Sequence, residues 1–229
     1  MNSVLQPATE RSRRTAETVP TLQERKQQVV RDAIWDAATD LFADKGFDQI
    51  TVDDIAKAVG VSRRSFFRYF ESKNDLMAYA MVNYGAELIE AIDACPESYS
   101  LSEVLRETVH RVPERAAKRP RTPKILAIVS KYPDARAAQA TRLAEVQDLV
   151  TQALARRCRK TGEDKLTASI LAGLIVELAG LTVQWWYEHG QRDMSEAAAQ
   201  TLATAGRMLC EGFKTSGSRQ TGSRTTAQK

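Results

Sequence analysis

The residues with the clearest capacity for chemistry lie in one short stretch, Ser62-Arg-Arg-Ser-Phe-Phe-Arg-Tyr-Phe70. Arg63, Arg64 and Arg68 crowd roughly two helical turns. A guanidinium is a planar fork of N–H donors that matches the O6/N7 edge of guanine and the oxygens of a phosphate. Phe66 and Phe70 are four apart and can turn inward. That leaves Arg63, Arg64, Ser65, Phe67, Arg68 and Tyr69 on the remaining faces, with Ser62 at the start as a cap. The chemistry suggested is recognition of a polyanion, not bond-making. A solvated helix face also carries charge, so the flanking elements that would present these groups decide between the two.

Those elements run from Thr51 to Leu76. Thr51 is a good N-cap, and Asp53 and Asp54 suit the positive end of a helix. Val52, Ile55, Ala56 and Val59 form one apolar face. Gly60 follows, where helices commonly end at positive φ. Val61 can plug the corner, and Ser62 opens a new helix one residue after the turn. Helix, glycine-containing turn and helix make a helix-turn-helix. Ser72 then caps a third helix with Lys73 in its first turn, a ready phosphate site.

These residues carry a family resemblance. The run Thr51-Val-Asp-Asp-Ile-Ala, then Gly60-Val-Ser, Phe66-Phe-Arg-Tyr-Phe and Ser72-Lys-Asn-Asp-Leu76 resembles the DNA-binding domain of the TetR family of bacterial transcriptional regulators. The likeness is close over about residues 25–76, and beyond them extends only to length and helical character. Three positions depart from the family pattern. Phe67 stands where Tyr is frequent, Arg64 where a small residue is common, and Glu71 where Lys is frequent. All three bear on which operator is read.

Other chemistries find no footing. There is no GxSxG, P-loop or GxGxxG. His110 and His189 are isolated, and no Cys/His spacing suits zinc. No catalytic, metal or cofactor site is expected. Cys95, Cys158 and Cys210 are scattered and odd in number, which points to a reducing cytosol. No N-terminal apolar segment resembles a signal peptide. The formal net charge of +4 equals the four cations Lys214, Arg219, Arg224 and Lys229 near the C-terminus. Bulk charge is therefore weak support for nucleic-acid binding, and the local arginine cluster carries it.

Sparse Gly and Pro and the absence of alternating runs predict an all-α chain. Residues 1–22 read as a disordered tail, in which Arg11, Arg13 and Arg14 suggest either an arm for the minor groove or a solubilising segment. Residues 23–75 read as the helix-turn-helix domain. Its first helix, Leu22 to Lys45, has a stripe of Val30, Ile34, Ala37, Ala38, Leu41 and Phe42, with Trp35 a partly buried packing residue beside it. Residues 76–214 read as a second domain for ligand binding and dimerisation, and 215–229 as a disordered tail.

Within the second domain, the helix from Ser72 to about Ala94 links the two cores. Pro113, Pro120, Pro123 and Pro133 break the following region into short pieces. Such pieces can leave a pocket, and ordinary irregular packing gives the same pattern. A long amphipathic helix follows from Pro133 to Lys160. Residues 164–189 are apolar enough to raise a membrane span, but Glu177 and Gln184 inside the run favour a buried helix. The last helix, about Ser195 to Lys214, repeats Ala198, Leu202, Ala205, Leu209 and Phe213 on one stripe, as a four-helix dimer interface needs.

Glu177 and Gln184, seven apart on one face, suggest a buried carboxylate that either anchors an effector or pairs structurally. Trp185, Trp186 and Tyr187 suit an aromatic effector site or a plain core. The DNA-contact candidates are Thr51, Ser62, Arg63, Arg64, Ser65, Phe67, Arg68, Tyr69 and Lys73, with Thr51, Tyr69 and Lys73 on the backbone. The expected protein is a homodimeric, non-enzymatic regulator of double-stranded operator DNA. The resemblance implies a small-molecule effector in the second domain. An effector-free DNA-binding factor and an activator of the same fold are the alternatives.

Overall fold

The computed structural model describes residues 21–212. The expected arm at Arg11, Arg13 and Arg14, the C-terminal tail, Phe213 and Lys214 lie outside the described residues. Of the expected N-terminal tail only Thr21 and Leu22 are described, and they open the first helix.

The described residues are all-α: α1 Leu22–Lys45, α2 Val52–Val59, α3 Arg63–Phe67, α4 Lys73–Asp93, α5 Leu101–Ala117, α6 Arg121–Lys131, α7 Pro133–Thr161, α8 Lys165–Glu188 and α9 Met194–Gly212. Side-chain caps explain most starts. Thr21, Thr51 and Ser100 each close a capping box with an acid three residues on, and Ser62, Ser72 and Asp164 cap α3, α4 and α8. The carboxyls of Glu24, Asp54, Glu103 and Asp164 lie below the usual carboxylate range because they accept hydrogen bonds at these caps.

Two large hydrophobic cores and one smaller cluster share the described residues. The first joins Ile34, Trp35 and Phe42 of α1 to Ile55, Phe66, Phe70 and Leu76, as the sequence stripes predict. It also takes in Ile128 of α6 and Ala135 of α7, with Tyr132 between them packed against it. Tyr132 reaches Phe47, ring centroids 5.9 Å apart, and its hydroxyl lies 2.6 Å from where a Cβ on Gly46 would stand. With φ at 95° as well, that position favours glycine on both counts. The second core gathers Leu88 and Ile92 of α4, Val104 and Val109 of α5, Leu154 of α7 and Ile175 of α8.

Two helix boundaries differ from expectation. The second helix of the motif ends at Phe67, not Phe70. The Arg68 amide bonds back to Ser65 and the Tyr69 and Phe70 amides to Phe66, so the chain tightens into a turn that delivers Phe70 to the core. Pro113 does not break its region: it lies buried inside α5, which continues to Ala117. The lost N–H costs one helical bond, and Pro113 is buried along with Val109 and Val112 of the same helix. Pro120 precedes α6, Pro123 sits in its first turn, and Pro133 opens α7.

α8 is long and apolar enough to cross a membrane by length and composition alone. Here it supplies Ala168, Ala172, Ile175, Val176 and Ala179 to the second core. One face of α8 is thus buried as the sequence suggests, while Leu166, Ile170 and Leu181 on another stay exposed.

Candidate nucleic-acid interface

Gly60 holds the corner of the motif at φ 70°, ψ 27°, the left-handed region. Its amide caps α2 on Ala56 and Lys57, and the Val61 amide adds a 2.9 Å bond to the Ala56 carbonyl. Ser62 Oγ accepts the Ser65 amide at 3.0 Å, so α3 begins at once. Phe66 and Phe70 are 0% and 2% exposed. With both locked inside, Arg63, Arg64, Phe67 and Arg68 stand exposed, while Ser65 and Tyr69 are half-buried.

The three arginines differ in what they already hold. Arg63 Nη1 lies 2.7 Å from Asp53 Oδ2, both side chains well exposed, and its guanidinium rests 5.4 Å above the Phe67 ring. Arg68 stacks 4.9 Å over Tyr69 and donates to its hydroxyl at 3.0 Å. Arg64 is exposed and has no hydrogen-bond or ion-pair partner among the described residues. An unpaired guanidinium needs no internal bond broken before it meets a base edge or phosphate.

The residues read as backbone contacts are also in part committed. Thr51 Oγ1 donates to Asp54 Oδ2 at 2.6 Å and accepts the Asp54 amide at 3.2 Å. Lys73 Nζ donates to the Phe47 carbonyl at 2.9 Å and sits 4.6 Å from the Phe47 ring centroid. An ammonium has three donors, so two remain for a phosphate.

Above this domain lies a cavity of about 690 Å³. Its walls include Trp35 of α1, Tyr84 and Glu87 of α4, Arg119 after α5, Ile125 of α6 and Val176 of α8. Glu177 and Gln184 line it as well. Glu177 is exposed, however, and not the buried carboxylate the apolar run suggested. Its face of α8 is left uncovered by the helices of this chain. Its charge still bears on Tyr84, whose phenol is pushed far up, first by burial and then by Glu177. Trp185 and Trp186 are not among the lining residues. Trp185 stacks on His189 at 4.0 Å, and Trp186 packs against Met194 and Ala197. Gln184 Nε2 donates to Glu188 at 2.9 Å.

Residues 34–80, from α1 into the first part of α4, match the sequence profile of bacterial regulatory proteins of the tetR family. Over those residues the chain carries a tetR-family regulatory domain. It is 28% identical over 185 residues to MftR of Mycobacterium tuberculosis, whose name assigns it to regulation of mycofactocin biosynthesis; the match spans 79% of this chain and 89% of that protein. A TetR-family regulator from Syntrophomonas wolfei shares the fold at TM-score 0.64 and 18% identity, over 82% of this chain and 98% of that one. NalD, the secondary repressor of the MexAB-OprM multidrug efflux pump in Pseudomonas aeruginosa, matches at TM-score 0.55 and 18% identity, over 80% and 96%.

The domain match and these relatives support a helix-turn-helix transcriptional regulator of the TetR type. The family match covers the motif but stops short of most of the cavity. The cavity residues that sequence reading missed are those of α1 and α6 above all. Gln28 and Asp32 lie on the polar side of the α1 stripe, and Arg121 at a proline-flanked helix start. The one signal for them was the broken segment around Pro120 and Pro123, which left Ile125 and Val129 without an assigned neighbour.

Proposed function

We propose that this protein is a homodimeric repressor of the TetR type that binds a palindromic operator and leaves it when a small molecule fills the cavity. The observation that carries the reading is the pairing of an exposed, arginine-bearing α3 with a cavity whose wall includes α1 of the same DNA-binding core. Each subunit sets α3 into the major groove. Arg63, Arg64 and Arg68 read base edges or phosphates, Ser62, Ser65 and Phe67 line the contact, and Thr51, Tyr69 and Lys73 position the backbone. Half-sites spaced about 34–36 Å follow from two-fold symmetry.

Exposed apolar side chains support the dimer. Leu166, Ile170 and Leu181 on α8, with Met208 and Leu209 on α9, are 45–66% exposed. On α8 they recur at helical spacing along one face, and joining two such faces buries them as a four-helix bundle. Coupling between cavity and DNA has a physical route. Arg121 lies 2.5 Å from Asp36, and Lys124 lies 2.7 Å from Asp40. These pairs tie α6, a cavity wall, to α1. A ligand that favours one spacing of α4 and α6 shifts the distance between recognition helices by its differential affinity for the two states. Action on DNA places the protein in the cytoplasm.

The test is selection of bound duplexes from a random pool, followed by a metabolite screen for release of the winner. A symmetric site with half-sites one turn apart, released by at least one compound, is the expected result. A chain that enriches no duplex at low salt refutes the reading.

A further inference from the structure

The aromatic side chains of the described residues are hidden, with one exception. Phe42, Phe47, Phe66 and Phe70 are at most 2% exposed, and every Trp and Tyr is buried or half-buried. Phe67 is 45% exposed, and it stands on the short helix that carries Arg63 and Arg64. The ring is nonetheless held in place. It meets buried Phe66 edge-on, centroids 5.5 Å apart and planes at 87°. The Arg63 guanidinium lies over it at 5.4 Å and is itself paired with Asp53 at 2.7 Å. A rigid apolar surface therefore remains open beside two exposed cations.

A phenyl ring neither donates nor accepts a hydrogen bond, so it cannot read the polar pattern of a base edge or grip a phosphate oxygen. The apolar group that a base presents in the major groove is the 5-methyl of thymine, and phenylalanine is among the side chains suited to it. Contact between the two removes apolar surface of both from water.

We propose that Phe67 is a specificity-determining residue that reads a thymine 5-methyl group in each operator half-site. This rests on the reading of α3 as the helix that enters the major groove. Because Arg63 lies over the same ring, the thymine sits beside the base or phosphate that Arg63 touches. The arginines supply charge and hydrogen bonds, and Phe67 supplies a preference that depends on neither.

The test replaces thymines of the selected operator by deoxyuridine, one symmetry-related pair at a time. Deoxyuridine keeps every hydrogen-bonding group and loses only the methyl. Affinity for the full chain is read by fluorescence anisotropy at fixed salt. At least one thymine pair is expected to matter, its replacement weakening binding about four-fold per half-site and about fifteen-fold for both, the worth of one buried carbon each. Phe67→Ala should bind the thymine and deoxyuridine operators equally, at lower salt where its overall affinity is weak. If no thymine responds with the unmodified protein, or if the response survives in Phe67→Ala, the inference is overturned while the reading of α3 as the groove helix stands. If no duplex is enriched from the random pool, that reading falls and the inference falls with it.

Discussion

Arg64→Ala is the most direct test of how α3 meets DNA. Arg64 is exposed and holds no partner among the described residues, so its removal should leave stability within about 0.5 kcal/mol. Any loss of DNA affinity then belongs to the contact itself. One bidentate base contact is worth about 1–3 kcal/mol of discrimination, which predicts roughly a 5- to 150-fold weaker operator Kd. If Arg64 instead grips a phosphate, affinity falls about equally for all sequences and the salt slope drops by about 1. Arg63→Ala should cost less. Its guanidinium must first leave Asp53 at 2.7 Å, an exposed pair worth about 0–1 kcal/mol that offsets part of what DNA returns. The assay is fluorescence anisotropy with the selected operator and a scrambled duplex, at several fixed salt concentrations. Unchanged operator affinity for Arg64→Ala, or a larger loss for Arg63→Ala, would refute the idea that pairing within the protein ranks the arginines.

Other perturbations probe the frame. Gly60→Val meets open space but must adopt φ 70°, so it should cost about 1–3 kcal/mol from backbone strain alone, with Gly60→Asn recovering most of it in urea denaturation. Ile170→Glu places charge on a 55% exposed apolar face of α8 and should give monomers in light scattering, with operator affinity falling in step. The capping carboxyls Glu24, Asp54, Glu103 and Asp164 have folded pKa values below their unfolded ones. Their stabilisation is therefore complete above the ordinary carboxylate pKa of about 4 and is lost as pH falls through the lowered values. Melting temperature should decline below that pH, and Thr51→Val should flatten the Asp54 share of the decline.

The motif was legible because its signals are local. Thr51 with Asp54, Gly60, Ser62 and Ser72 each act within four residues, and each sits where its side chain or backbone freedom predicts. The end of α3 was not legible, because Phe70 is drawn inward by a core assembled from α1 and α4. Pro113 misled for a related reason: propensity records the missing N–H, not the burial that compensates it. The exposure of Glu177 depends on which face of α8 its neighbours leave uncovered, and no periodicity states that.

The cavity was the least legible feature, since its walls come from helices far apart in sequence. Trp35 shows why. A helical stripe records only that a side chain is buried, and Trp35 is buried, as a packing residue should be. The same indole meets Tyr79 within the DNA-binding core and forms part of the cavity wall beneath Arg121. Asp36, the next residue, is held above its usual range chiefly by burial, and Arg121 pulls the other way. A ligand that displaced Arg121 would therefore expose the indole face and leave Asp36 without its cation in the same movement. Under the proposed function, two consecutive residues of α1 would thus couple cavity contents to the position of the helix that braces the recognition motif.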